Sequence, residues 1–164
     1  TYVEGILIVN KKYSVPKDYG NGIDKEANNQ LKLLQNDAKK KGYNISFVSG
    51  YRTYSYQNTL YKNYIKKYGQ KIADNLAAKP GHSEHQTGLA FDVGNVGNKY
   101  KVTKAGTWLS ENAHLYGFII RYPKGKEKIT GYQYEPWHIR YLGKELATEI
   151  VKENLTYEEY IAKK

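Results

Sequence analysis

Apolar positions along the 164-residue chain follow two periods, and each period predicts a kind of element. Gly5-Ile6-Leu7-Ile8-Val9-Asn10 is a short apolar run suited to a strand or extended segment. Pro16, Gly20, Asn21 and Gly22 then mark a turn-rich stretch. From Asp24, placed to cap a helix, Ala27, Leu31, Leu34 and Ala38 recur at helical spacing until Gly42 stops them. Ile45-Ser46-Phe47-Val48 reads as a strand running into Ser49-Gly50-Tyr51-Arg52. Residues 54–68 read as a second helix, with Tyr61, Ile65 and Tyr68 on one stripe. Pro80, Gly81 and Gly88 make 79–88 a loop. Residues 89–93 emerge as a strand with Leu89, Phe91 and Val93 on one face and Ala90 and Asp92 on the other. A helix over 107–116 closes at Gly117; 118–122 and 137–141 read as strands and 144–152 as a helix. Thr156 and Glu159 form a capping box for a last short helix. Helices at both ends of the chain with hairpin-like strands between them predict an α+β fold: a small central antiparallel sheet flanked by helices. The length fits one domain spanning 1–164.

Composition narrows the chemistry. With 40% hydrophobic residues the chain can build a core. Cysteine is absent, which excludes disulfides, thiolate-held zinc, iron–sulfur clusters and cysteine nucleophiles. Methionine is absent too, so Thr1 is not a translation start, and an N-terminal export or anchor segment is expected to be missing from this chain. No apolar run reaches membrane-spanning length. The net charge is +10, from 26 Lys and Arg against 16 Asp and Glu. Only three of those cations are arginines: Arg52, Arg121 and Arg140. Nucleic-acid readers lean on arginine forks, whereas the lysines here are scattered apart from Lys39-Lys40-Lys41. An anionic surface such as a bacterial wall is therefore the expected partner, with no nucleic acid.

The chemistry concentrates in two short segments. One is Gly81-His82-Ser83-Glu84-His85-Gln86-Thr87-Gly88-Leu89-Ala90-Phe91-Asp92; the other is Glu135-Pro136-Trp137-His138. Strand phase turns Asp92 away from Phe91 and Val93, and sets His138 and Arg140 opposite Trp137, Ile139 and Tyr141. Asp92 and His138 could then project toward a common pocket, with His85 approaching from the loop. Two imidazoles, one carboxylate and an open fourth position make a sensible catalytic zinc set. Glu135, across the Pro136 kink, could take a proton from the attacking water without ligating. Spacing alone leaves the bland reading open: most histidines are solvated or half-buried, as His114 is expected to be, and Asp92 could simply terminate its strand. No HExxH helix is present.

Ser83-x-His85-x-x-Gly88-x-Ala90-x-Asp92, followed by Glu135-x-Trp137-His138, resembles the signature of VanY-type carboxypeptidases. These are zinc peptidases of the group that includes lysostaphin-like enzymes and the hedgehog signalling domain. A third family element stands upstream, Ser49-Gly50-Tyr51-Arg52-Thr53 with Gln57 five residues after the arginine. The resemblance runs over about residues 6–143 and implies zinc ligands His85, Asp92 and His138, one ion per chain, with Glu135 as general base. Arg52 would bind the scissile carbonyl oxygen or the substrate carboxylate, and Gln57 and Ser83 would line the cleft. Tyr122, just before the loop that precedes Glu135, is a further candidate for a substrate hydroxyl contact, although it is one of eighteen tyrosines. Trp137 reads as wall or core. The implied activity is removal of a C-terminal D-alanine from peptidoglycan stem peptides by a monomeric, extracytoplasmic enzyme of the bacterial envelope, secreted or anchored. D,D-cleavage is expected ahead of L,D-cleavage of the tetrapeptide. A non-catalytic zinc-containing wall-binding or signalling domain is the rival of another class.

Overall fold

The computed structural model describes residues 1–94 and 103–164. Strands β1 (Tyr2–Val3) and β2 (Ile6–Leu7) form a small antiparallel pair. The expected strand over 5–10 is thus only two residues long, and Ile8 and Val9 reach the core as extended chain beyond it. Helix α1 (Lys25–Lys40) begins where Asp24 accepts from Ala27 N, and it buries Ala27, Leu31, Leu34 and Ala38 as the spacing predicts. Strand β3 (Phe47–Ser49) follows, then α2 (Tyr54–Tyr68), capped by the Thr53 side chain. Within α2 the expected stripe holds in part: Tyr61 is buried and Ile65 packs beside it, but Tyr68 is exposed and Gln57 is buried in its place. The reason lies next along the chain: α3 (Gln70–Leu76), not foreseen from its polar sequence, packs against α2 and buries Ala73 and Ala77 beside Tyr61.

The predicted loop over 79–88 contains a 3₁₀ turn, Glu84–Thr87, which leads into β4 (Ala90–Val93). Helix α4 (Lys104–Asn112) starts earlier than expected because the Thr103 side chain caps Gly106 N; a second 3₁₀ turn, Ala113–Tyr116, completes the predicted span. Strand β5 (Phe118–Tyr122), the short α5 (Glu127–Thr130) and β6 (Glu135–Tyr141) come next. The chain ends in α6 (Lys144–Lys152) and α7 (Tyr157–Ala162), the latter with the capping box that its sequence announces.

The main sheet is antiparallel in the order β3-β4-β6-β5. One face carries Phe91, Val93, Phe118 and Ile139 against α1 and α4, a core that also holds Leu109 and Trp137. On the other, Ile119 packs with Ile8, Ala147, Ile150, Tyr157 and Tyr160, so α6 and α7 cover part of that side. The architecture is α+β, as the element order implied. What α6 and α7 leave uncovered is where the polar side chains gather.

Candidate metal centre

Asp92 and His138 are directly opposed in the β4–β6 ladder, so their side chains leave the sheet on one side. On the other flank β3 sets Ser49 opposite Asp92, and Arg52 follows three residues later. His85 comes from the turn Glu84–Thr87, whose entry Ser83 fixes by accepting from His85 N at 3.3 Å. Gly88 ends that turn at φ +76°, where a Cβ would lie 2.2 Å from the Gly22 carbonyl oxygen. Only glycine lets the turn pack onto the segment before α1.

Glu135 reaches the same place through a bulge. Ile120 pairs with Ile139 and Tyr122 with Glu135, so three residues of β6 oppose the single Arg121. Pro136 lies among them and has no N–H to give the ladder. The extra residues turn Glu135 onto the His138 side, with Oε2 at 3.4 Å from His138 Nδ1.

One donor atom each from His85, Asp92 and His138 lie within 4.8 Å of one another, and all three residues are buried. Asp92 Oδ1 is 3.4 Å from His85 Nε2 and 3.4 Å from His138 Nδ1, yet among the described residues it accepts no hydrogen bond. Its other oxygen accepts from Arg52 Nη2 at 2.9 Å, and Arg52 Nε donates to Ser49 Oγ at 3.0 Å. The outward nitrogens of both rings are occupied: His85 Nδ1 is 2.7 Å from the Gly50 carbonyl oxygen, and His138 Nε2 is 3.3 Å from Glu84 Oε2. His85 Nε2, His138 Nδ1 and Asp92 Oδ1 therefore face one point. A buried carboxylate oxygen without a donor is costly unless a cation meets it. Two imidazoles and a carboxylate suit zinc, so the residues present fit that ion.

Proximity settles the charges. Burial alone would raise Asp92, but the imidazoles of His85 and His138 hold it well below the usual carboxylate range. Burial likewise opposes ionisation of Glu84, and the Arg121 and Arg140 guanidiniums overcome it. Burial pushes His85 below its ordinary value. It acts on His138 in the same direction, but contacts with Glu135 and Glu84, together with the Asp92 charge, carry that ring up to about 9.

His85, Asp92, His138 and Glu135 line a cleft of about 360 Å³, and every site residue expected from the sequence lines it. Gln57 is buried in its wall; its Nε2 donates to the Ala78 carbonyl at 2.8 Å, while its Oε1 has no partner among the described residues. The Tyr122 ring packs between Tyr132 and His138, with centroids at 4.7 and 4.9 Å. Trp137 is both wall and core. His114 lies in the turn Ala113–Tyr116, apart from the cleft. What sequence reasoning missed is the support beneath: Glu84, Arg121, Arg140 and Glu158. A signal was available, since Arg140 shares strand phase with His138 and arginine is scarce in this chain.

A family model described as VanY, D-alanyl-D-alanine carboxypeptidase, matches residues 20–144. Among curated proteins, YodJ of Bacillus subtilis (strain 168) is 42% identical over 98% of this chain and 68% of its own length. The chain spans between 44% and 68% of the length of the curated relatives it matches. Among solved structures, the L,D-carboxypeptidase DacB of Streptococcus pneumoniae is 46% identical, with a TM-score of 0.84, covering 94% of this chain and 84% of that one. A Zn(II) complex of the vancomycin-resistance D,D-pentapeptidase VanY is 34% identical, also at a TM-score of 0.84, covering 94% of this chain and 97% of that one.

Proposed function

The chain belongs to the VanY family of D-alanyl-D-alanine carboxypeptidases, and from that membership we propose a zinc metallo-carboxypeptidase that removes a C-terminal D-alanine from peptidoglycan stem peptides. The observation that carries this reading is the unpartnered Asp92 Oδ1, facing two imidazole nitrogens with the Glu135 carboxylate alongside. His85, Asp92 and His138 are assigned as ligands of one zinc. When bound, zinc supplies Lewis acidity: it lowers the pKa of a water and polarises a carbonyl.

The protein's own groups do the rest. Glu135 accepts a proton from the attacking water at its carboxylate and delivers it to the departing amine nitrogen of D-alanine. Arg52 is anchored to Asp92 and Ser49 but keeps part of its side chain open to the cleft. There its charge meets the developing oxyanion or the terminal carboxylate. The free Oε1 of Gln57 offers an acceptor for a substrate N–H, and Ser83 and Tyr122 contribute hydroxyl groups to the walls. An extracytoplasmic place in the bacterial envelope follows from such a substrate. Among the described residues no helix is long and apolar enough to cross a membrane.

Both stereochemical outcomes occur among the relatives. Identity is higher toward the pneumococcal L,D-carboxypeptidase than toward the D,D-pentapeptidase. That observation favours the tetrapeptide stem, ahead of the pentapeptide expected from the sequence, whose motifs both activities share. The test is to incubate the protein with each purified stem and weigh the products. D-alanine should leave the tetrapeptide faster, a chelator should stop release, and added zinc should restore it. Glu135→Ala should cut turnover by about 10²–10⁴-fold while the zinc content stays that of wild type. Release that survives the chelator overturns the zinc chemistry. Zinc binding with no release from either stem would make this a non-catalytic zinc domain.

A further inference from the structure

Every oxygen of the Glu84 side chain is used inside the protein, where it has no solvent exposure. Oε1 accepts from Arg121 Nε at 2.6 Å and from Arg140 Nη1 at 3.0 Å. Oε2 is left to His138 Nε2. Arg121 is itself shared, since its two terminal nitrogens donate to the two carboxylate oxygens of Glu158 on α7 at 2.8 and 2.7 Å. Arg140 donates its remaining terminal nitrogen to the Leu7 carbonyl at 2.7 Å, an oxygen that also accepts from the Tyr157 hydroxyl on α7. Two guanidiniums and two carboxylates balance, so Glu84 stands ionised beside the imidazole.

We infer that Glu84 is a positioning residue for His138, and that Glu158 on α7 holds Glu84 in place through Arg121. The last helix then belongs to the support of the metal centre. The inference rests on the zinc reading above. A carboxylate oxygen can only accept, so His138 Nε2 must carry its hydrogen and Nδ1 is the atom turned toward Asp92 and Glu135. The two arginines come from adjacent strands, which fixes Glu84, and through it the ring, relative to the sheet. A charge cluster kept for stability alone has no reason to divide its oxygens. Here both guanidinium bonds to Glu84 fall on Oε1 and leave Oε2 to the ring. His85 receives only a neutral backbone carbonyl at the equivalent atom, so His138 is the ligand made more electron-rich.

The test measures zinc affinity by chelator competition, and the visible absorption of the Co(II)-substituted protein, in Glu84→Gln and Glu158→Gln. Glu84→Gln should weaken zinc binding by about 10–100-fold and shift the Co(II) bands. Glu158→Gln, at a partly exposed rim, should act in the same direction by a smaller factor. A folded Glu84→Gln protein with wild-type affinity and bands overturns the inference, even if its melting temperature falls. Should Glu84→Gln fail to fold, Glu158→Gln decides: weaker binding with shifted bands supports the inference, and wild-type behaviour overturns it. A wild-type chain that takes up no zinc would instead overturn the proposed function, so the two failures are distinct.

Discussion

Arg52 meets two demands that a lysine cannot meet together. It donates from one terminal nitrogen to Asp92 and from Nε to Ser49, holding Asp92 so that Oδ1 faces the imidazoles. A lysine ammonium is a point charge on a flexible stem and loses that fork. Arg52→Lys should therefore reduce kcat/KM for D-alanine release by about 10²–10³-fold. Metal analysis of the same preparation should show zinc still bound. Turnover near wild type would make Arg52 peripheral. At this scale the family motif indicated which side chains would meet, and His85, Asp92, Glu135 and His138 all line the cleft. The sequence was not readable at Glu84, which looks like an ordinary loop acid beside His85. Its meaning depends on Arg121 and Arg140, which are 37 and 56 residues away along the chain.

Among the elements, α1 and the turn Ala113–Tyr116 are tied by the Tyr116 hydroxyl, which donates to Asp37 Oδ2 at 2.6 Å. Burial, reinforced by the Asp37 carboxylate, pushes Tyr116 from 10.0 up to about 12. The neutral hydroxyl thus stabilises the fold fully below pH 10, and its contribution is lost as pH rises through about 12. For Asp37 the sign reverses. Hydrogen bonds from Tyr116 and Lys40 lower its pKa, so its contribution is present above its ordinary pKa and fades as pH falls through the lowered one. Tyr116→Phe should lower Tm by about 1–3 °C at neutral pH. By scanning calorimetry that gap should close between pH 10 and 12, because only the wild type has the hydroxyl to lose. A gap constant over that window would show that the bond contributes nothing. Element periods were legible where one face is buried, as in α1. In α2 they held for Tyr61 and Ile65, which pack with Ala73 and Ala77, and missed Gln57, buried, and Tyr68, exposed, because periodicity cannot say which neighbour will arrive. At Pro136 strict alternation would place Glu135 with Trp137, away from His138; the kink expected there is a bulge in which three β6 residues oppose Arg121.

For the whole molecule the charge of +10 is carried mainly by lysines, whereas the three arginines are committed around the metal centre. The lysine field is thus available for long-range attraction to an anionic wall, and such attraction is screened over about 10 Å at 0.1 M salt. D-alanine release from intact sacculi should fall several-fold between about 50 and 500 mM salt, while release from a soluble stem peptide changes by less than about twofold. Equal salt dependence on both substrates would remove the wall attraction.

The sequence by itself determined the fold class, the position of most helices and strands, and the identity of the chemically competent side chains. The fold class and the elements follow from local periodicity and capping, written within a few residues of one another; the candidate side chains follow from short motifs that resemble those of a known family. Only the tertiary structure decided that Asp92 and His138 are cross-strand partners, that a bulge sets Glu135 at 3.4 Å from His138, and that Glu84 and Arg121 join the last helix to the His138 ring. Each of these depends on strand register and on charge pairing between distant segments. Such contacts are fixed by packing the whole chain, because a buried charge finds its partner in space and not along the sequence.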